Sequence, residues 1–329
     1  MILLLFAALT ATQAASPAPP AAKVTTLETA TGQAPAAPGN ADQLKLTTLA
    51  DDRMTLPVTI GSAGPFRFLV DTGADGSAVS RQLAERLLLP AGRRTKLHSV
   101  TGFDEVATAS VRGLRVANRA MPDIDAPLLE AQHVGADGIL GTDVLRSALV
   151  RFDFKKKLLT ILPNERAAKR LDPDTIVVEA RKREGRLIVT HALLDGQRLT
   201  VILDTGSEVS IGNMALRAAL AKRRMLSGLA PLDLRSVTGT ILPASYMTVR
   251  ELDVGNVGFQ NLGIAFADAH TFRALGFDDS PALLLGMNAL RAFDSVTIDM
   301  NAKKLRFSKP ESQRYRVDQY VLTAPRPQG

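Results

Sequence analysis

The sequence predicts an all-β fold built from two related halves, and three observations carry that expectation. Four blocks occur twice, in the same order. FLVDTGAD (68–75), LHSVTGF (97–103), GILGTDVLR (138–146) and LVRFDFKKKLLTIL (149–162) are answered by VILDTGSE (201–208), LRSVTGT (234–240), LLLGMNALR (283–291) and SVTIDMNAKKLRF (295–307). The apolar runs are short or alternating and are cut by Gly, Pro, Asn and Asp, which is the pattern of strands and turns. Helical spacing is confined to a few short stretches.

Taken in order, residues 1–15 read as a signal peptide. The apolar run Ile2–Leu9 is followed by small residues at a candidate cleavage point, although no Lys or Arg precedes it. That run is too short to span a bilayer, which needs about 20 residues. The expectation is therefore an exported protein, periplasmic or secreted, with no membrane span in the mature chain. Residues 16–43 are rich in Ala, Pro, Thr and Gly and read as a disordered spacer. Residues 44–165 form the first half. Its strands are expected at Thr55–Ile60 and Phe66–Val70, with a helix at Ser80–Leu88 capped by Ser80. A turn or two of helix follows at Asp143–Leu149, and a strand–charged turn–strand unit at Leu149–Leu162. Residues 166–309 repeat the plan, with strands at Leu187–Leu193 and Leu199–Leu203 and a helix at Ile211–Ala221. A short helix at Asn288–Phe293 and a hairpin at Val296–Phe307 complete it. Residues 310–329 are a polar tail to which no function attaches.

Composition narrows the function classes. Hydrophobic residues make up 46% of the 329-residue chain and charged residues 22%, as in a globular protein. The absence of Cys excludes disulfides and thiolate chemistry. A net charge of +7 raises a nucleic-acid partner, but the basic runs are short and no stacking platform or recognition motif accompanies them. No nucleic-acid partner is expected. The four histidines are scattered without metal-ligand spacing, so no metal or other cofactor is expected, and they read as structural or surface groups.

Asp-Thr-Gly is the informative repeat, because chance supplies roughly 0.06 copies in a chain of this size. An apolar strand ending in Asp holds that carboxyl rigidly. Gly lets another backbone approach closely, and Thr can hydrogen-bond across to it. Two such loops about a two-fold axis would set Asp71 and Asp204 face to face. Close carboxyls share one proton and titrate as a pair. The ionised member can activate a water while the protonated one donates to a carbonyl oxygen.

The paired hydrophobic–Asp-Thr-Gly motifs resemble those of the aspartic proteases. Ile139-Leu140-Gly141 and Leu284-Leu285-Gly286 match the apolar–apolar–Gly segment that the family packs behind each such loop. FLVDTGAD and LLLGMNALR are most similar to the retropepsin branch, whose short subunits pair as homodimers. The resemblance covers about residues 44–309. It implies two pseudo-symmetric retropepsin-like or pepsin-like β-barrel lobes in one chain, with the active-site cleft between them, and an aspartic endopeptidase acting on polypeptide substrates. By position, Asp71 and Asp204 would be the catalytic dyad. Thr72 and Thr205 would brace the loops, and Gly73 and Gly206 would place backbone donors near the carboxyls. Val100, Thr101, Gly102 and Phe103, with Val237, Thr238 and Gly239, fall where the family has substrate-covering flaps. The flap Tyr of pepsin-like enzymes has no counterpart here. Asp75 and Glu208 share an offset and read equally as substrate contacts or solvated turn acids.

Alternatives remain at this stage. A catalytically silent peptide-binding module would keep the fold. Two chains could pair like copy with like, although a monomer with an intramolecular dyad is the simpler expectation.

Overall fold

A computed structural model of the chain describes residues 2–3, 8–10, 42–45, 47–48, 54–116, 119–145, 149–162, 165–171 and 175–308. The described chain is mostly strand, arranged as two β lobes of like topology.

In the first lobe, Met54–Ile60 and Ala63–Val70 form an antiparallel hairpin. Phe68, Leu69 and Val70 are all buried, so the end of the second strand is fixed by the core. Gly138–Leu140 runs parallel beside it, with Ile139 opposite Leu69, and antiparallel to Ala78–Ser80 on its other side. The second lobe repeats this arrangement. Gln197–Leu203 is flanked by the parallel strand Ala282–Leu285, with Ile202 opposite Leu284, and that strand pairs antiparallel with Ser210–Gly212. A strand hydrogen-bonded on both sides and buried on both faces reads as a continuous apolar run. That is why FLV, GIL, VIL and LLL carry no alternation.

The two charged hairpins leave their lobes and meet. Leu149–Asp153 pairs antiparallel with Ser295–Asp299, Val150 opposite Ile298 and Phe152 opposite Val296. Each of these strands also keeps its own hairpin partner, Leu158–Leu162 or Lys304–Ser308. Thr175–Glu179 and Asp42–Lys45 close the two edges, giving six antiparallel strands drawn from both halves. Val150, Phe152, Val296 and Ile298 lie in one buried cluster with Val70 and Leu140 of the first lobe and Leu203 and Leu285 of the second.

Several boundaries differ from expectation for local reasons. Ser80 caps the first helix as expected, its Oγ accepting from Leu83 N at 3.1 Å, but the helix proper is Arg81–Arg86. Its counterpart starts at Met214 rather than Ile211, because Ser210–Gly212 is captured as a strand between Ala282–Leu285 and Val257–Phe266. Asn213 then supplies the cap, accepting from Leu216 N at 2.8 Å. The helices Ala131–Val134, Glu165–Leu171 and His270–Ala274 are too short to leave a periodic signal. Asp42 and Gln43, assigned to the spacer, belong to the edge strand Asp42–Lys45. The rest of the spacer and the tail 310–329 lie outside the described residues. Within the expected signal peptide, Ile2–Leu3 pairs with Thr95–Ser99 and Ala8–Thr10 with Ala230–Arg235; its remaining residues are also outside them. No described helix is long and apolar enough to cross a membrane.

The shared sheet generates a stability prediction. Phe152 is 1% exposed and stacks on Phe154 with ring centroids 6.2 Å apart. Phe152→Ala is expected to cost about 3–5 kcal/mol, read as the shift of the urea midpoint at constant slope. A loss below about 1 kcal/mol would show that this sheet is not packed as described.

Candidate active site

Each Asp-Thr-Gly loop begins where its buried strand ends, and the parallel neighbour fixes the point. Asp71 N donates to Leu140 O at 2.9 Å, and Asp204 N to Leu285 O at 3.1 Å. The loops then turn over the glycines of the apolar–apolar–Gly segments. A Cβ at Gly141 would lie 2.6 Å from the Gly76 carbonyl, and one at Gly286 would lie 2.7 Å from the Val209 carbonyl carbon. No other residue fits there. Matching side chains tie the loops down. Ser77 Oγ donates to Asp143 Oδ1, and Ser210 Oγ to Asn288 Oδ1, both at 2.8 Å. The same hydroxyls accept from Gly141 N at 3.0 Å and Gly286 N at 3.1 Å. Ser77, Ser210, Asp143 and Asn288 were not singled out in the sequence, although they recur at matching offsets in the repeated blocks.

The two loops meet across the pseudo-two-fold axis. Thr72 N donates to Thr205 Oγ1 at 3.0 Å, and Thr205 N to Thr72 Oγ1 at 3.1 Å. Thr205 Oγ1 in turn donates to Val70 O at 2.9 Å. Inside this brace, Gly73 N donates to Asp71 Oδ1 at 2.7 Å and Gly206 N to Asp204 Oδ1 at 3.0 Å. Gly206 presses against the opposite carboxyl, since a Cβ there would sit 2.3 Å from Asp71 Cγ.

Asp71 and Asp204 are buried, and apart from the other carboxyl neither Oδ2 has a protein hydrogen-bond donor among the described residues. Burial raises Asp71 well above the usual carboxylate range, and the charge of Asp204 raises it further. Burial likewise lifts Asp204 to about 7, against the lowering effects of Gly206 N–H and the Arg186 charge. A hydrogen bond from Asp71 also lowers Asp204. Two carboxylates are both acceptors, so that bond exists only when a proton lies between them. Asp204 therefore ionises near pH 7 while Asp71, raised further by that charge, keeps its proton, so the pair passes from two protons in acid to one shared proton near neutrality.

Arg186 is the functional neighbour that sequence reasoning missed. Its side chain is fully buried beneath the first loop. Nε and Nη2 donate to Gly73 O at 3.0 and 2.7 Å, and Nη1 lies 2.8 Å from Asp75 Oδ1. Burial disfavours its charge, and the carboxyls of Asp75, Asp71 and Asp204 offset that. Asp75 is thus tied to a strand of the other half and is not a free turn acid. The signal available in the sequence was an Arg opening the strand Arg186–Leu194, whose hairpin partner Gln197–Leu203 leads to the second Asp-Thr-Gly.

The two Val-Thr-Gly segments are hairpin turns with one local design. Thr95–Ser99 pairs with Gly102–Val106, and Ala230–Arg235 with the start of Ile241–Val254. Ser99 Oγ and Thr101 Oγ1 lie 3.0 Å apart, and Ser236 Oγ and Thr238 Oγ1 3.2 Å apart. Gly102 (φ +148°) and Gly239 (φ +86°) take conformations that favour Gly. The tips cross over. Val100 of the first half packs with Ile188, Ile202 and Ile211 of the second, and Val237 packs with Leu69, Ala78 and Ile139 of the first. Both valines are buried anchors, while Phe103 is exposed.

Two stretches of the chain match one family model, described as aspartyl protease: residues 55–144 and 190–289, together more than half the sequence. No curated protein matches the chain.

Two predictions follow from the buried charges. Asp204 is raised in the folded state, so between the ordinary aspartate value of about 3.8 and about 7 the folded protein holds a proton that the unfolded chain has lost. Stability therefore falls as pH rises through that window. Asp204→Asn is expected to raise Tm at neutral pH, with the gain vanishing below about pH 4. A gain independent of pH would contradict the shift. Arg186→Met leaves Asp75 without this cation and is expected to cost about 3–5 kcal/mol by chemical denaturation. A change under about 1 kcal/mol would remove Arg186 from the account.

Proposed function

Because the chain belongs to the aspartyl protease family, we propose that it is an aspartic endopeptidase whose dyad, Asp71 and Asp204, forms within a single chain. The observation that carries this reading is the reciprocal Thr72–Thr205 brace, which holds two buried carboxyls whose Oδ2 atoms have no donor among the described residues apart from each other. In the reaction, the ionised carboxyl removes a proton from a water that attacks the scissile carbonyl carbon. The protonated carboxyl donates to the carbonyl oxygen, giving a tetrahedral diol. The carboxyl that took the water's proton then gives it to the leaving amine while a diol hydroxyl gives its own to the other carboxylate, so the C–N bond breaks, a carboxylic acid and an amine leave, and one proton remains on the dyad. Gly73 N–H and Gly206 N–H hold the inner oxygens, so each carboxyl keeps one oxygen for chemistry. The flap residues Val100 to Phe103 and Val237 to Gly239 would cover a bound peptide. The central Leu149–Asp153 and Ser295–Asp299 pairing supports the one-chain assembly, since it occupies in one molecule the edges that a dimer would need. Export is part of the proposal and rests on the apolar run Ile2–Leu9 and the small residues after it.

Asp71→Asn and Asp204→Asn are each expected to lower kcat on a peptide library by about 10²–10⁴-fold while leaving the fold intact. Activity should elute at the mass of one chain. Full turnover by either variant would overturn the dyad. Binding of a statine-type mimic by a wild-type protein that cleaves no peptide would make it a peptide-binding module instead.

A further inference from the structure

The first flap is fastened to the opposite lobe by a contact that the proposed chemistry does not use. His98 lies on the flap strand Thr95–Ser99, opposite Phe103 on the returning strand. His270 begins the helix His270–Ala274 of the second half. His98 Nδ1 and His270 Nε2 are 2.9 Å apart, with the rings tilted by only 17°. His270 N also donates to Val100 O, at 2.8 Å, where the tip enters the second lobe's apolar cluster. Phe103 flanks both rings, at 5.9 and 6.5 Å between centroids.

An imidazole–imidazole hydrogen bond needs one N–H and one lone pair. Neutral rings satisfy it, and so does a pair carrying one extra proton. Two extra protons turn both facing nitrogens into donors and place two positive charges in contact, so the bond cannot survive. We propose that His98 and His270 form a proton-operated latch that holds the first flap closed over the cleft and releases it in acid.

The surroundings favour this direction. Burial lowers both imidazoles; the charges of His270 and Lys96 add to this for His98, and that of Arg273 for His270. Three acidic groups stand nearby: Asp268 pairs with Arg273, Glu105 pairs with Arg94 and lies across the hairpin from Lys96, and Asp104 is exposed beside it. A group whose pKa is lowered in the closed state binds protons better in the open one. Closure is therefore favoured above the lowered values and lost as pH falls through them. The latch is one-sided. The second flap carries Arg235 and Thr240 where the first carries His98 and Phe103, and its Gly239 rests against the His133 ring.

The test reads distance rather than turnover, so it is separate from the proposed peptidase activity. The chain has no Cys, so spin labels can be placed at Asp104→Cys on the flap and Asp279→Cys on the second lobe, both exposed. An Asp204→Asn background prevents self-cleavage. Between about pH 7.5 and about pH 4.5 the separated population is expected to rise about tenfold. His98→Gln and His270→Gln each leave a partner that can bond the remaining ring in either charge state, so each is expected to abolish the pH response. Circular dichroism and the neutral-pH distance identify variants that fold with the flap closed. An unchanged distance in the parent across this range, or the same lengthening in either folded Gln variant, would overturn the latch.

Discussion

Two carboxyl groups held together in a buried place are the constraint on which the rest of this molecule depends. Two ionised carboxylates about 4 Å apart would repel by about 4 kcal/mol at a typical effective dielectric. Retaining one proton avoids most of that cost. The protein must still prevent the groups from separating or turning out to water. The Thr72–Thr205 brace does this directly. Hydrogen bonds of this kind contribute only about 1 kcal/mol each, so the brace cannot act alone. Behind it stand the buried strands that end at each Asp and the glycines that let each loop lie flat on its neighbour. Arg186 adds a cation below the first loop, lowering both carboxyls enough that one of them ionises near neutrality.

The same two-fold logic runs outward from the brace. Below it, the six-stranded sheet pairs the hairpins of both halves, so one continuous core supports both loops. Each Val-Thr-Gly hairpin also buries its valine among residues of the opposite half. Four contacts therefore cross between the copies: the sheet, the brace, the hairpin tips, and Arg186 on Gly73 and Asp75. A chain carrying both copies has all these partners covalently present. The departures from symmetry are as informative as the symmetry. His98 and Phe103 are replaced by Arg235 and Thr240, so the two flaps are fastened by different chemistry.

Much of the fold and of the candidate site was legible in the sequence because the informative features are local and repeated. Asp71 and Asp204 sit in strings whose order and apolar context recur, and the turn chemistry of Val-Thr-Gly and of the charged hairpins is local as well. What was not legible depends on long-range pairing. Arg186 looks like any basic residue in a chain with net charge +7 until the fold brings it under Gly73. His98 and His270 are far apart in sequence and meet only when the flap crosses to the other lobe. The hairpins 149–162 and 295–308 were readable as hairpins, but nothing local says that their first strands pair with each other. Ser77 and Asn288 recur at matching offsets, and only their contacts reveal why.

The central claim is that Asp71 and Asp204 hold one proton jointly in the folded chain. A titration following the carboxyl carbons of ¹³C-labelled aspartates, with Asp71→Asn and Asp204→Asn to assign the two signals, tests it most directly. One signal is expected to stay protonated through neutrality while the other moves near pH 7, and removing either Asp is expected to change the titration of the one left. Both signals titrating independently near about pH 4, as exposed aspartates do, would contradict it.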